Sequence, residues 1–362
     1  MANKNKNLNA AAKAKKDKFY TQLEDIENEL RHYRDFFKGK TVLCNCDDPF
    51  ESNFFKYFAA NFNALELKKL ITTSYADSPI CQLQLEFFGM ENQQFDRKKD
   101  ALMIEVDELR DWNGDGREDL NDVQYAIEHG LYKTTRLKGD LHYCAGDFRT
   151  KELIALLPQA DVVVTNPPFS GFRDYIKQLI DFDKKFLIIA NINSITYKEV
   201  FPLIMQNKVW LGYGMGRAIS GFIVPDDYEL YGTEARVEFD GQRIVSTNQC
   251  LWYTNIETEK RFWDITLYKK YSPEEYPRYD NYDAIEVSKT AEIPVDYFGV
   301  MGVPITFLDK YNPNQFEILG HTSANDLSPA VEALRTDPKN RNRGIINGKT
   351  KYDRILIRRR EQ

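Results

Sequence analysis

Apolar residues fall at helical spacing near the start of the chain. Phe19, Leu23, Ile26, Leu30, Tyr33 and Phe37 lie three or four apart and stop at Gly39, which predicts an amphipathic helix closed by a glycine. The β-prone run TVLCNC (41–46) follows, then the turn Asp47-Asp48-Pro49 and a second helical pattern through Phe54, Phe55, Phe58 and Phe62. LKKLITTSY (67–75) reads as another strand. LHYCAGDF (141–148), a helix from Thr150 to Leu157, ADVVVTN (160–166) and KKFLIIANI (184–192) continue the alternation, and strands alternating with helices imply a largely parallel, doubly wound α/β sheet. Polar material interrupts this rhythm between 77 and 140, which reads as an insertion.

Past Trp210 the pattern changes. Gly212, Gly214 and Gly216 cluster, and the runs ARVEFDG, QCLWYTNI and ITLYKKY, separated by turns rich in Asp and Pro, predict short strands. Residues 1–16 have no apolar period. The expected organisation is a basic arm (1–16), a catalytic α/β domain (17–215, with the insertion at about 77–140) and a β-rich C-terminal region (216–362).

Composition narrows the class. Hydrophobic residues make up 42% of 362 and charged residues 29%, with a mean hydropathy of −0.55, which describes a soluble globular chain. No apolar run approaches the roughly 20 residues that cross a bilayer, and the N-terminus lacks the apolar core of a signal peptide, so the expected location is the cytoplasm. The five cysteines show no paired metal-ligand spacing and read as reduced thiols. The net charge of −6 hides an uneven distribution. Ten Lys or Arg lie between Arg335 and Arg360 against Asp337 and Asp353, and six lysines precede Phe19 against Asp17. Each basic end reads either as phosphate-binding surface or as a solvated, frayed tail.

The chemistry concentrates in DVVVTNPPFSGF (161–172). Three valines suit a strand buried on both faces, and Asn166-Pro167-Pro168-Phe169 stands where that strand ends, at the edge where open α/β sheets bind ligands. Consecutive prolines stiffen the backbone and remove two N–H donors, leaving fixed acceptors suited to an amino group. An aromatic amine is a poor nucleophile because its lone pair is delocalised into the ring. Accepting both its protons, at the Asn166 side-chain oxygen and the Pro167 carbonyl, favours a pyramidal nitrogen, and Phe169 can stack on the ring that bears it. Transfer to such a nitrogen is then mainly a matter of alignment.

The tetrapeptide resembles the active-site loop of S-adenosylmethionine-dependent amino-methyltransferases, and most of the chain is similar to the EcoRI-type adenine-specific DNA methyltransferases. The closer resemblance rests on DKFYTQ (17–22), CNCDDPFESNFFKYFAANF (44–62), GDF (146–148) with DVVVTNPPFS, and CLWYTN (250–255). It implies a Rossmann-like methyltransferase domain with a target-recognition region in the β-rich half. It also implies that Phe19, Tyr20 and Thr21 hold the methionine end of S-adenosylmethionine, that the loop with Asn45 and Asp47 receives the cofactor, and that Asp147 and Phe148 contact its adenine. The implied activity is N6-methylation of an adenine flipped out of double-stranded DNA, by a monomer whose restriction endonuclease is a genomic partner. One departure stands out: the loop after the first strand usually carries glycines, and residues 44–49 contain none.

Three further readings remain open. Asn-Pro-Pro-aromatic loops also serve methylation of protein glutamine or rRNA guanine, and a DNA-binding protein can retain the fold without catalysis. Asp111, Asn113, Asp115 and Asp122 in DWNGDGREDLND have the spacing of an EF-hand-like calcium loop with Asp in place of the twelfth-position Glu; the alternative is a Gly-Asp surface turn. Trp252 and Tyr253 suit either a buried strand or a wall against the extruded base.

Overall fold

The computed structural model describes residues 20–76, 100–215, 218–224, 230, 235–238, 241–246, 249–323, 326, 328–337 and 343–360. Two compact units make up the chain, one of residues 1–192 and 216–256, the other of 193–215 and 257–362. They interleave in sequence: residues 216–256, grouped with the β-rich half on pattern alone, pack with the first unit.

The first unit is α/β. Its central strands are β2 (Thr41–Cys44), β3 (Lys69–Thr73), β6 (Val162–Thr165) and β7 (Lys185–Asn191), parallel in the order β3-β2-β6-β7. The residues of β2 and β6 are all buried, as a strand covered on both faces requires. Antiparallel strands flank this core. Beyond β3 lie β4 (Ala101–Val106) and β5 (Lys133–Leu137), and beyond β7 lies Cys250–Thr254. Residues 100–137 of the expected insertion thus extend the sheet itself. LHYCAGDF, expected to continue the strand–helix alternation, forms turns, because Gly139 and Gly146 take left-handed φ values of +74° and +84° there.

Helices cover the sheet by burying periodic faces. In α1 (Leu23–Leu30) Ile26 and Leu30 are buried, and α2 (Asn53–Ala60) buries Phe54, Phe55, Tyr57 and Phe58. Ser52 caps α2 by accepting from the Phe54 amide at 3.1 Å. In α3 (Phe172–Asp181) Phe172, Tyr175, Ile176 and Leu179 form one inward stripe at i, i+3, i+4 and i+7. A second sheet holds β1 (Tyr20–Thr21), which pairs antiparallel with Phe222–Val224, placing Tyr20 beside Ile223 and Thr21 beside Phe222.

The second unit contains a four-stranded sheet in the order Ile285–Glu286, Met301–Val303, Ile355–Arg359, Phe316–His321. Among the described residues of the basic C-terminal stretch, Ile355, Leu356 and Ile357 are buried in an interior strand rather than in a frayed tail. Several of its cations serve this fold. Arg354 pairs with the buried Glu286 at 2.6 Å, and Arg335, its side chain fully buried, pairs with Glu332 at 3.1 Å. ITLYKKY forms no strand and contributes one bridge, Lys269 to Pro294. Among the described residues no helix is long and apolar enough to cross a membrane.

Ile357 pairs with Met301 on one side and Ile318 on the other with no exposure. Ile357→Ala should cost about 2–5 kcal/mol by loss of transfer energy and cavity formation, read as a drop in urea unfolding free energy; a change under about 1 kcal/mol would contradict this packing.

Candidate active site

Parallel pairing of β2 with β6 sets Val42 beside Val162 and Leu43 beside Val163, so both strands end at one edge of the sheet. The loops leaving those ends carry Asn45 to Pro49 and Asn166 to Phe169. A cavity of about 270 Å³ opens there, in the first unit. Of the residues expected at the site, Tyr20, Thr21, Asp47, Asp147, Phe148, Asn166 and Pro168 line it together. Phe19 lies outside the described residues.

Three expected residues stand around the cavity without lining it. Asn45, buried, accepts a hydrogen bond from the Tyr175 hydroxyl at 2.5 Å and so fixes its loop to α3. Pro167 is buried, and Phe169 packs edge-on against Phe222 with centroids 5.9 Å apart. Trp252 and Tyr253 are fully buried, and Trp252 meets Phe54 edge-on at 5.7 Å, so they belong to the core.

Asp47 organises the wall. Its carboxylate accepts from the Ser52 hydroxyl at 2.5 Å and from the Thr165 hydroxyl, and its backbone carbonyl accepts from Thr72. Burial pushes the carboxyl up to about 6 despite the two hydroxyl donors. Asp147 is fixed differently: Arg149 donates Nε and Nη2 to its two oxygens at 2.9 and 2.6 Å. Phe148 is buried against Tyr175 at 4.9 Å.

Sequence reasoning missed several cavity residues. Ser52 had a local signal as a cap ahead of a helical run. Gly146 stood in the GDF stretch without an assigned role, and Tyr75 had no signal, since its contacts form only in the fold. A Cβ at Gly146 would stand 2.2 Å from the Ser74 carbonyl, so only glycine lets the Asp147 loop approach the end of β3. Tyr20 and Tyr75 both donate to Glu51, with their hydroxyls 3.1 Å apart, and burial holds the Tyr20 phenol above its ordinary range. Asn53 donates to the Thr21 carbonyl at 2.8 Å. The Thr21 hydroxyl itself is buried in this wall and, among the described residues, has no hydrogen-bond partner, a group placed to meet a ligand.

The loop at 111–122 brings carboxylate oxygens of Asp111, Asp115 and Asp122 within 4.8 Å of one another. Asp111 accepts from the amides of Gly114, Asp115 and Gly116, the Asn113 side chain from that of Asp115, and Asp122 from those of Asn113 and Asp119. Asp119 and Asp122 form a capping box on the helix Leu120–Glu128. Among the described residues Cys44, Cys46, Cys144 and Cys250 form no disulfide; Cys81 lies outside the described residues.

Comparison with known proteins adds the relationship. The family model of the adenine-specific methyltransferase EcoRI matches residues 7–360. The type II methyltransferase M.EcoRI of Escherichia coli is 49% identical over 356 residues, covering 98% of this chain and 96% of that protein. The type II methyltransferases M.MgeORF184P of Mycoplasma genitalium and M.MpnI of Mycoplasma pneumoniae are each 34% identical, over 98% of this chain and 99% and 98% of their own lengths. No solved structure matches the chain.

The raised pKa of Asp47 has a definite sign. A carboxyl that titrates near 6 in the fold and at 3.8 when unfolded stabilises the protein below about pH 4, and that contribution is lost as pH rises through about 6. Asp47→Asn does not titrate, so the unfolding free energy of the unaltered protein relative to this variant should fall by roughly 2 kcal/mol between pH 4 and 7. Urea unfolding at both pH values measures it, and a pH-independent difference would refute the assignment.

Proposed function

The chain belongs to the family of EcoRI adenine-specific methyltransferases and is an adenine-specific DNA methyltransferase of the type II restriction-modification kind; from that premise we propose how its cavity works. Methyltransferase chemistry implies S-adenosylmethionine, which when bound supplies an electrophilic methyl group on a sulfonium. The residues present fit that cofactor. The unpartnered Thr21 hydroxyl and Tyr20 meet its methionine end, the Asp147 carboxylate accepts from its adenine amino group, and Phe148 covers the purine face. The loop that carries Asn45 and Asp47 receives it.

The target adenine leaves the DNA stack to reach the strand ends. Asn166 Oδ1 and the Pro167 carbonyl accept its two amino protons and turn the nitrogen lone pair toward the methyl. Pro168 keeps those acceptors rigid, and Phe169 stacks on the base, a contact worth about 1–3 kcal/mol. The observation that carries this reading is that Asn166 and Pro168 share one cavity with Asp147 and Phe148. The fold it assumes is the doubly wound, Rossmann-like methyltransferase domain.

The β-rich region 216–362, of which residues 257–362 belong to the second unit, contributes DNA recognition with its basic C-terminus. The protein works as a monomer in the cytoplasm, with a cognate restriction endonuclease as genomic partner. Protein glutamine and rRNA guanine give way as substrates, as does a noncatalytic role, because the relationship to adenine-specific methyltransferases extends over 98% of the chain. The loop with Asp111, Asn113, Asp115 and Asp122 keeps two readings, a structural calcium loop and a turn satisfied by its own amides; titration calorimetry with Ca2+ separates them.

Mapping modified bases in DNA from a host that expresses this chain should reveal N6-methyladenine at one recurring sequence, and its absence would refute the reading. Asn166→Ala should lower kcat by on the order of a hundredfold or more while DNA affinity is retained, since it removes an acceptor and no phosphate contact. Parallel loss of binding and turnover would count against the role given to Asn166.

A further inference from the structure

Asp47 is a buried carboxylate, 5% exposed, in the wall of the cofactor cavity. Its partners are two neutral hydroxyls and the Cys46 backbone amide, and among the described residues no Lys, Arg or His pairs with it. The charge acting most strongly on it is a second carboxylate, Asp48. A buried anion without a counter-charge is costly, and its place in a ligand cavity suggests that the ligand brings the cation.

The carboxylate also stands close to the reacting centre. It bonds the hydroxyl of Thr165, the residue directly before Asn166. An amino nitrogen held by Asn166 lies about 3 Å from its acceptor, and a methyl group poised for transfer lies roughly 3–3.5 Å from that nitrogen. Asp47 is thus tied to the residue next to Asn166, to which the methyl must be brought, and this adjacency points to the sulfonium as the cation it meets; the methionine ammonium is common to the donor and the spent cofactor and cannot distinguish them.

We propose that Asp47 reads the charge on the cofactor's sulfur, favouring the sulfonium of the methyl donor over the neutral thioether that remains after transfer. This rests on the reading of the cavity as the S-adenosylmethionine site. Opposite charges a few ångströms apart at a partly buried site attract strongly enough to separate two ligands by tenfold or more. Once the methyl has left, the carboxylate again lacks a counter-charge, and exchange of spent cofactor for fresh donor is favoured.

Calorimetric binding without DNA tests this with three probes: S-adenosylmethionine, S-adenosylhomocysteine, and sinefungin, which carries an ammonium in place of the sulfonium. The unaltered protein should bind both cationic probes more tightly than S-adenosylhomocysteine. Asp47→Asn should weaken the two cationic probes by about tenfold or more and S-adenosylhomocysteine by less than about threefold. Asp47→Ser, which keeps a hydroxyl in the network without the charge, should do the same where the amide does not fold. Equal weakening of all three, or no weakening, overturns the proposal and leaves the cofactor site standing. Equal affinity of the unaltered protein for S-adenosylmethionine and S-adenosylhomocysteine overturns it whatever the variants do. Failure of all three to bind overturns the cofactor reading and this inference with it.

Discussion

A single buried carboxylate, Asp47, ties together three segments around the cavity at the strand ends. Through side chain and backbone it engages Thr165 at the end of β6, Ser52 at the start of α2 and Thr72 at the end of β3. Each of these hydroxyls would otherwise need its own partner at a site that must also stay open to ligand. Concentrating them on one residue leaves the neighbouring loop residues fixed and the cavity unobstructed. The cost is a charge held out of water, which appears as the upward shift in its pKa.

This arrangement accounts for the missing glycines after the first strand. Glycine-rich loops let backbone approach a cofactor closely because no side chain intervenes. Here residues 44–49 are shaped by side-chain bonds instead, with Asn45 fixed to Tyr175 and Asp47 to its hydroxyls. Close backbone approach moves to another wall, where Gly146 packs against Ser74.

That displacement explains what could and could not be read from the residues alone. The central strands were legible because Val162 to Val164 and Thr41 to Cys44 are buried on both faces, which leaves continuous β-prone runs. Asn166 to Phe169 was legible because proline pairs are rare punctuation and this one follows a buried strand. Tyr75, Gly146 and Glu51 were not, since their roles arise between segments about 24 to 72 residues apart and no local period encodes them. LHYCAGDF misled for a related reason: its apolar residues serve turns around Gly146, with Ala145 and Phe148 buried by tertiary contact rather than by strand alternation.

Charge was the least transparent signal. A run of ten cations near the C-terminus suggested either a tail or a phosphate surface, and the fold makes it neither in full. Arg354 and Arg335 neutralise Glu286 and Glu332 within the second unit, and the apolar residues between the cations form an interior strand. Among the described residues Lys349, Lys351, Arg358 and Arg360 remain exposed, as does Arg343, which pairs with Asp353. Phosphate attraction depends on cations that can shed water onto DNA, so this smaller set, rather than the count along the sequence, is the relevant quantity for salt-dependent binding. Net charge therefore says little about the partner of an acidic protein whose basic residues are unevenly spent on its own fold.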